Sequence, residues 1–426
     1  MRAFAAVMFA VCGAIPAALA EVPAQSQIPP QTITQSQNPQ WEAIFNSETT
    51  FYSWRSSRGY PPTVNLPPLP RGPGHGTLVY SPFGLQLNGR PSDDLKLEFL
   101  VRSAYVNSHT VLPDRVADFS ALADTTFGTT ATWLGWNGIQ PFFSINVNTP
   151  TGKTNLTGNK SLAQPDSDVS PIAAFGEGLN IGPTIGVNIP FSRNLMAGLG
   201  VGYTYRGPFE RGGFSLIQQQ VDGIRELDPG DVITVNGTLA YRGERLSLSG
   251  SISYSWETMT TLDGTPFYKA GNRIMLAAGV GYAWDANWAS RVIASYSHMD
   301  RNTVPFPPPP TTMLEAFNSN SDMWKVTIDT TYTMGAFSIG PVSTLIYRDK
   351  NAWSPTAFHF LPAKLSGSIG GIMQYALSQQ ATLRARVEHI WIVENEKPDV
   401  LPLIGSGIPE IHTRGWIISI AGIFRY

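Results

Sequence analysis

The segment LSLSGSISYSW, residues 246–256, alternates apolar and polar residues without a break. Serine fills every second position, and the positions between hold Leu246, Leu248, Gly250, Ile252, Tyr254 and Trp256. A period of two indicates a β-strand with one apolar and one polar face. In a soluble sandwich the apolar face would contact the protein core. In a membrane barrel it would contact lipid, and the serines would face a water-filled lumen. The rest of the chain decides between these two structures.

The N-terminus has the pattern of a secretory signal peptide. Arg2 precedes an apolar run, and Ala18-Leu19-Ala20 forms a small-residue cleavage motif. Gly13 and Pro16 interrupt the run, which favours a signal peptide over a transmembrane helix. We therefore predict a signal peptide at residues 1–20. Residues 21–47 are rich in Gln and Pro and are expected to be a flexible periplasmic segment, which leaves residues 48–426 for the folded domain.

The composition narrows the class of protein further. Charged residues make up 14% of the chain, and the formal net charge of −2 gives no indication of a nucleic-acid partner. Cys12 is the only cysteine and lies in the predicted signal peptide, so the mature chain has no disulfide or thiolate site. After the signal, no run of about 18 apolar residues predicts a membrane helix. A secreted chain of this kind can still span a membrane as a closed β-barrel.

Aromatic residues at the ends of alternating segments favour lipid over a protein core. The alternation of residues 246–256 recurs at 95–105, 195–205, 232–242, 272–284, 324–332 and 382–391. Tyr and Trp are the residues that concentrate at membrane–water interfaces. The predicted girdle residues are Tyr105, Tyr203, Tyr241, Tyr254, Trp256, Tyr282, Trp284, Tyr332 and Trp391.

The connections alternate between short and long. Tight turns are predicted at 137–138, 190–194, 242–245, 285–288, 334–337 and 378–381. Long loops are predicted near 109–120, 150–177, 207–230, 258–271, 300–321, 349–362 and 394–412. Short periplasmic turns and long extracellular loops are typical of outer-membrane barrels. We therefore predict an all-β, antiparallel, up-and-down barrel in the outer membrane of a Gram-negative bacterium.

The strand count depends on where the first strand lies. About fifteen alternating segments precede the C-terminus from residue 76 onward, and an entry from the periplasm requires one more rising strand. The segment TTFYSWRSS, residues 49–57, is the candidate, giving about sixteen strands, with fourteen to sixteen compatible with the pattern. The chain ends in GWIISIAGIFRY, an alternating segment with a terminal aromatic residue. Phe424 and Tyr426 are predicted to be the signal for the barrel-assembly machinery, although Ala421 stands where such signals usually have glycine.

Three segments resemble an outer-membrane family described as components of phenol meta-pathway degradation. They are FFSINVNTPTGK (142–153), FGEGLNIGPTIGVNIPFSRNLMAGLGVGYTYRG (175–207) and LDPGDVITVNGTLAYR (227–242). The resemblance spans about a third of the chain and implies a transporter-type barrel, distantly similar to long-chain fatty-acid transporters. It implies no catalytic residue, and it leaves the substrate open.

Charged residues on the polar faces are the candidate lumen lining. They are Lys96, Glu98, Arg102, Arg291, Lys325, Asp329, Arg384, Arg386 and Glu388, with Arg206 and Arg242 nearby in the pattern. The surplus of basic residues favours anions such as carboxylates. The structural alternative is that the charges pair across strands and stiffen the wall, with Arg384 and Arg386 forming a ladder with Glu388.

The sequence offers little for catalysis. No G-x-S-x-G motif accompanies the six histidines, and no metal-ligand spacing is present, so neither an enzyme, a metal nor a cofactor is predicted. Two functions remain open. One is passive uptake of small organic molecules, aromatic or carboxylated, through a lumen that inward loops narrow. The other is a structural or surface-interaction barrel without transport. The expected partners are outer-membrane lipid, the assembly machinery and a small organic solute, and the oligomeric state stays open.

Overall fold

The computed structural model describes residues 41–57, 72–113, 115–136, 138–157, 160, 163, 175–212, 224–306, 311–399 and 407–426. Regular structure in these residues consists of β-strands. In chain order they are β1 (Trp41–Ser56), β2 (Gly74–Ser92), β3 (Leu95–Val111), β4 (Val116–Leu122), β5 (Thr125–Trp133), β6 (Gln140–Thr149), β7 (Asn180–Pro190), β8 (Leu195–Arg206), β9 (Phe209–Arg211), β10 (Arg225–Asp228), β11 (Val232–Arg242), β12 (Leu246–Glu257), β13 (Thr260–Leu262), β14 (Thr265–Tyr268), β15 (Arg273–Ala283), β16 (Trp288–Met299), β17 (Thr303–Pro305), β18 (Thr312–Leu314), β19 (Met323–Met334), β20 (Phe337–Arg348), β21 (Lys364–Ala376), β22 (Ala381–Glu394) and β23 (Ile411–Arg425).

One antiparallel sheet closes on itself. It contains seventeen strands, and β1 pairs with β2 on one side and with β23 on the other. β4 and β5 both pair with β3, at its two ends, and together form one interrupted strand. Counted this way, the barrel wall has sixteen strands. The remaining neighbours follow chain order. A closed antiparallel barrel whose outer face is apolar is the architecture of a bacterial outer-membrane protein, so the predicted fold class is confirmed.

The β1–β23 pairing, which we call the seam, runs from Ile44↔Arg425 to Ser56↔Thr413. It confirms that the candidate first strand, residues 49–57, belongs to the wall. The predicted flexible segment 21–47, however, ends too late, because β1 already begins at Trp41. Its start was missed because only Trp41 and Phe45 mark the outer face there, and the polar residues Glu42 and Asn46 follow them directly. The predicted signal peptide, residues 1–20, lies outside the described residues.

The predicted long loop near residues 109–120 is wrong. β3 continues to Val111 and β4 begins at Val116, so a short turn connects two strands that extend beyond the apolar band. The outward side chains of this extension include His109 and Asp118, which form a hydrogen bond of 2.5 Å. Because the outer face is polar there, the segment has the composition of a loop and the pattern of a strand.

The other connections follow the predicted alternation. Short turns join β7 to β8, β11 to β12, β15 to β16, β19 to β20 and β21 to β22 at one end of the barrel. Asp285 closes one of them by accepting the backbone N–H groups of Asn287 (2.7 Å) and Trp288 (2.8 Å). These two hydrogen bonds, that of Asn287 first, lower the pKa of the Asp285 carboxyl. Gly335 adopts a φ of 57° in the β19–β20 turn, which only glycine does without strain.

The long loops at the opposite end carry structure of their own. β9, β10, β13 and β14 form a four-stranded sheet, and β17 pairs with β18. These small sheets lie beyond the wall strands, so the long-loop end extends farther from the apolar band than the short-turn end does. Among the described residues there is no helix long and apolar enough to cross a membrane.

The strand β12 shows the two faces of the wall. Leu248 is 41% exposed on the outer surface and lies opposite Tyr241 of β11 and Val280 of β15. Ser249 faces the interior, where its Oγ would lie 2.5 Å from a Cβ added to Gly279. The alternation of residues 246–256 therefore separates the exterior of the barrel from its lumen.

This assignment gives a paired test. Leu248→Arg places a charge on the outer face and should lower the free energy of unfolding by about 2–4 kcal/mol if the site lies near the bilayer midplane. Ser249→Arg places the same charge in the lumen and should have a much smaller effect. Folding titrations in lipid vesicles measure both. Equal losses at the two positions would contradict the two-faced wall.

Candidate functional site: the lumen

The register stacks inward side chains in rows across β22, β23, β1 and β2. One row contains Arg384, Ala421 and Glu48. The next row, nearer the long-loop end, contains Arg386 and Ser419, followed by Thr50 and Tyr80. Thr50 is a buried residue. These rows bring charged groups from the two ends of the chain to one part of the inner wall.

Two ion pairs dominate these rows. The Arg384 guanidinium lies 2.8 Å from the Glu48 carboxylate across the seam. Arg386 contacts Glu388, whose side chain is 1% exposed. The Ser368 hydroxyl donates a hydrogen bond to Glu388, with a distance of 2.7 Å. A carboxylate buried to this degree requires such partners, because an unpaired buried charge costs several kcal/mol.

The other predicted lumen residues are spread around the wall. Lys96 pairs with Glu98 at 3.0 Å. Arg291 of β16 contacts Asp329 of β19 across the strand pair, at 2.8 Å. The side chains of Arg102 and Lys325 alternate with outward residues of β3 and β19, which places them on the inner face. The cations of the lumen are therefore largely paired. Glu48, which pairs with Arg384, was not among the predicted lumen residues.

An inner apolar patch lies directly above the charged rows, toward the long-loop end. Its wall residues are Tyr52, Leu78, Val106, Leu112, Ala117, Phe119, Ile390 and Ile392. Tyr52 and Leu78 are direct neighbours across β1 and β2 and follow the Thr50–Tyr80 row by two residues. Apolar side chains and arginine–carboxylate pairs thus meet on one side of the lumen.

The β6–β7 loop folds into the barrel mouth and packs on this patch. Phe175 of the loop is 2% exposed, and its ring stacks on Phe119 with centroids 4.5 Å apart. Ser108 donates a hydrogen bond from its hydroxyl to the backbone carbonyl of Ala163, at 2.5 Å. Leu156 packs against the same cluster. The described part of this loop therefore narrows the lumen at the long-loop end.

Asp124 holds the two ends of this loop on the wall. It sits where the wall strand is interrupted between β4 and β5. Its carboxylate accepts the backbone N–H groups of Gly152 (2.8 Å) and Glu177 (2.6 Å) and the side-chain amide of Asn148 (2.8 Å). The interruption gives Asp124 the freedom to leave the β-ladder and face the loop. A carboxylate with several N–H donors is a strong anchor.

The opposite wall has small inward residues. On β7 and β8 the inward positions include Gly182, Gly186, Gly198, Gly200 and Gly202. The Phe142 ring packs so closely over Gly186 that an added Cβ would lie 2.4 Å from it. The inward positions of β7 and β8 therefore contribute little side-chain volume to the side of the lumen that faces the charged rows.

The predicted girdle residues lie on the outer face, in two groups. Those toward the long-loop end are Tyr105, Tyr203, Tyr254, Trp256 and Trp391, and those toward the short-turn end are Tyr241, Tyr282, Trp284 and Tyr332. Neighbouring rings contact each other, as Trp288 does with Tyr332 at a centroid distance of 4.8 Å. Trp41, Trp133 and Trp416 are exposed on the same face, although the sequence reasoning did not select them. Their role as interfacial anchors stays a prediction.

Sequence reasoning missed the residues that shape the lumen constriction. Glu48, Asp124 and Phe175 became visible only with the strand register and the path of the loop. A lone acid between the alternating segments at 116–122 and 125–133 is the one sequence signal for Asp124. Among the described residues, no group of three or more His, Cys, Asp or Glu side chains is arranged to hold a metal ion.

The solved structures that this chain resembles share little sequence identity with it. No family model matches the chain, and no curated protein matches it. Among solved structures, a Pseudomonas aeruginosa FadL homologue is similar with 8% identity and a TM-score of 0.42, over 90% of this chain and 90% of that chain. The CymD monoaromatic hydrocarbon channel is similar with 12% identity and a TM-score of 0.37, over 90% and 88%. An outer membrane channel from Pseudomonas putida F1 shows 11% identity and a TM-score of 0.37, over 60% and 88%. At these values, what those channels conduct says nothing about this chain.

The anchoring role of Asp124 can be tested directly. Asp124→Ala removes the acceptor of the Gly152 and Glu177 amides. Hydrogen exchange at these two amides should accelerate at least tenfold, since each hydrogen bond to a charged group contributes about 1.5–3 kcal/mol. Asp118→Ala, on the outer face of the neighbouring β4, is the matched control. Unchanged exchange in Asp124→Ala would show that the loop is held by other contacts.

Proposed function

We propose that this protein is an outer-membrane channel for the passive uptake of small organic molecules that combine an apolar, aromatic body with a carboxylate. The observation that supports it most is the meeting of two surfaces in one closed lumen. The inner apolar patch begins one row from Arg386 toward the long-loop end, and Arg384 lies one row from Arg386 toward the short-turn end. The patch suits an aromatic ring, and the arginines suit its carboxylate.

The size of the barrel supports passage. Barrels of about sixteen strands leave an aqueous channel when nothing fills them. Here the β6–β7 loop, through Phe175 and Asp124, narrows the mouth on the side of the charged rows. The glycine-lined wall opposite leaves room beside the constriction. A solute would therefore pass between small residues on one side and the apolar and charged rows on the other.

The remaining parts of the proposal concern biogenesis. A signal peptide at residues 1–20 directs the chain to the periplasm, and the assembly machinery recognises the terminal strand through Phe424 and Tyr426. Tyr426 is 77% exposed at the short-turn end, which suits such recognition. The resemblance to the phenol meta-pathway family agrees with an aromatic solute and stays a prediction.

Conductance and uptake test the proposal together. Purified protein in a planar bilayer should conduct, with a reversal potential that indicates anion preference, and liposomes that contain it should take up benzoate faster than a neutral sugar of similar size. Arg384→Ala with Arg386→Ala should lower benzoate uptake at least tenfold, because each charge-assisted hydrogen bond contributes about 1.5–3 kcal/mol. Arg291→Ala removes a lumen cation far from the apolar patch and is the matched control.

The outcomes separate the alternatives. The double variant leaves Glu388 buried without its arginine, so Arg386→Ala with Glu388→Gln is the second variant if the first fails to fold. A folded barrel with neither conductance nor uptake of any organic acid favours the structural or surface-interaction function. Conductance with cation preference would support a channel but contradict its proposed preference for anions. Arg384 and Arg386 would then be wall residues that pair with Glu48 and Glu388.

A further inference from the structure

Basic side chains cluster on the outer surface of the wall near the long-loop end. We call Arg55, His75, His389, His412 and Arg414 the outer basic patch. Arg55 of β1 lies directly opposite Arg414 of β23 and directly opposite His75 of β2. Three of the chain's six histidines are thus brought to one part of the exterior by strands that are far apart in sequence.

The patch lies just above the apolar band. On β1 the outward residues Phe45 and Phe51 are exposed, and Arg55 follows four residues later. On β23 the exposed Trp416 precedes the membrane-facing residues, and Arg414 is the next outward position toward the long-loop end. In an outer-membrane barrel this height corresponds to the head groups of the outer leaflet.

The two arginines face each other without a carboxylate between them. Directly opposite residues in an antiparallel pair have Cβ atoms about 4.5–5.5 Å apart, and like charges there are destabilising. In the part of the chain that the structure describes, neither Arg55 nor Arg414 forms an ion pair, and Glu410 contacts His412 instead, at 3.2 Å. An external anion between the arginines would remove this repulsion.

Elsewhere on the long-loop rim, carboxylates lie at the outer surface. There, aspartates accept hydrogen bonds from outward aromatic residues of the girdle. The pairs are Tyr203–Asp231 at 2.5 Å, Tyr296–Asp322 at 2.9 Å and Tyr347–Asp349 at 3.3 Å. The positive charge at the seam is therefore local and does not reflect a generally basic rim.

A surface groove adjoins Arg414. It measures about 280 Å³ and is lined on β22 by His389 and Trp391 and on β23 by His412 and Arg414. The Trp391 ring gives the groove an apolar side that faces the membrane, and His389 packs edge-on against Trp416 at 5.0 Å. Trp391 lies directly opposite Arg414, and Trp416 is the next outward position of β23 toward the apolar band. The groove thus combines cations with aromatic surface that continues toward the membrane, which matches a charged head group joined to an acyl chain.

We propose that the outer basic patch binds the phosphorylated head group of an outer-leaflet glycolipid. The phosphate lies between Arg55 and Arg414 and accepts hydrogen bonds from both guanidinium groups, with His75 beside it. The sugar or the upper acyl chain fills the groove against Trp391. Arginine forks match phosphate oxygens in geometry and charge. The proposal rests on the outer-membrane location and is independent of what the lumen conducts.

Binding of a defined glycolipid to the full-length folded barrel tests this. Diphosphoryl lipid A, its dephosphorylated analogue and inorganic phosphate are titrated against the barrel in neutral detergent, with native mass spectrometry as the readout. Diphosphoryl lipid A should bind at least tenfold more tightly than its dephosphorylated analogue. Arg55→Gln with Arg414→Gln should abolish this difference. Arg193→Gln with Arg245→Gln removes two cations at the short-turn end and should preserve it.

A second measurement separates binding from folding. Without lipid, Arg55→Gln with Arg414→Gln should leave thermal stability unchanged or raised, because it removes like charges that face each other. Diphosphoryl lipid A should raise the thermal stability of the wild type only. Equal binding of the two lipids, or a double variant that still discriminates them, would overturn the proposal. Inorganic phosphate that binds as tightly as the lipid would also overturn it and would assign the patch to a free anion.

Discussion

The pairing of β1 with β23 is the constraint on which the rest of the structure depends. It turns an open sheet into a closed wall, so that no edge strand leaves unpaired backbone groups in lipid. The terminal residue takes part, because Tyr426 and Ala43 exchange backbone hydrogen bonds of 2.9 Å. Without this pairing the outer face of the barrel and its lumen would not be separate compartments.

The same seam assembles each chemical feature of the wall from the two ends of the chain. Inside, Glu48 reaches Arg384 across it. Two rows higher, Tyr52 of the inner apolar patch lies opposite Ile417. Outside, Arg55 meets Arg414. The proposed solute path and the proposed lipid site are therefore two faces of one junction, and a disturbed seam register would shift both.

The sequence predicted the strands of the wall better than the loop contacts that narrow the lumen. Period-two alternation and interfacial aromatics are local signals, so segments such as 232–242 and 246–256 were placed with the bounds they have in β11 and in nearly all of β12. The extension of β3 was missed because its outward residues are polar above the lipid, where alternation no longer contrasts apolar with polar. The constriction could not be predicted, since the contacts of Asp124 and Phe175 depend on how a long loop returns to the wall.

Cross-linking across the seam tests the account most directly, because Cys12 is the only native cysteine. Thr50→Cys with Ser419→Cys joins direct partners, whose Cβ separation of about 4.5–5.5 Å is close to that of a disulfide. Mild oxidation of the folded barrel should link them and change the mobility of the boiled, non-reduced chain. Thr50→Cys with Thr413→Cys, displaced along β23, should stay unlinked. No link in the matched pair, or equal linking in the displaced pair, would contradict the closed wall and its register.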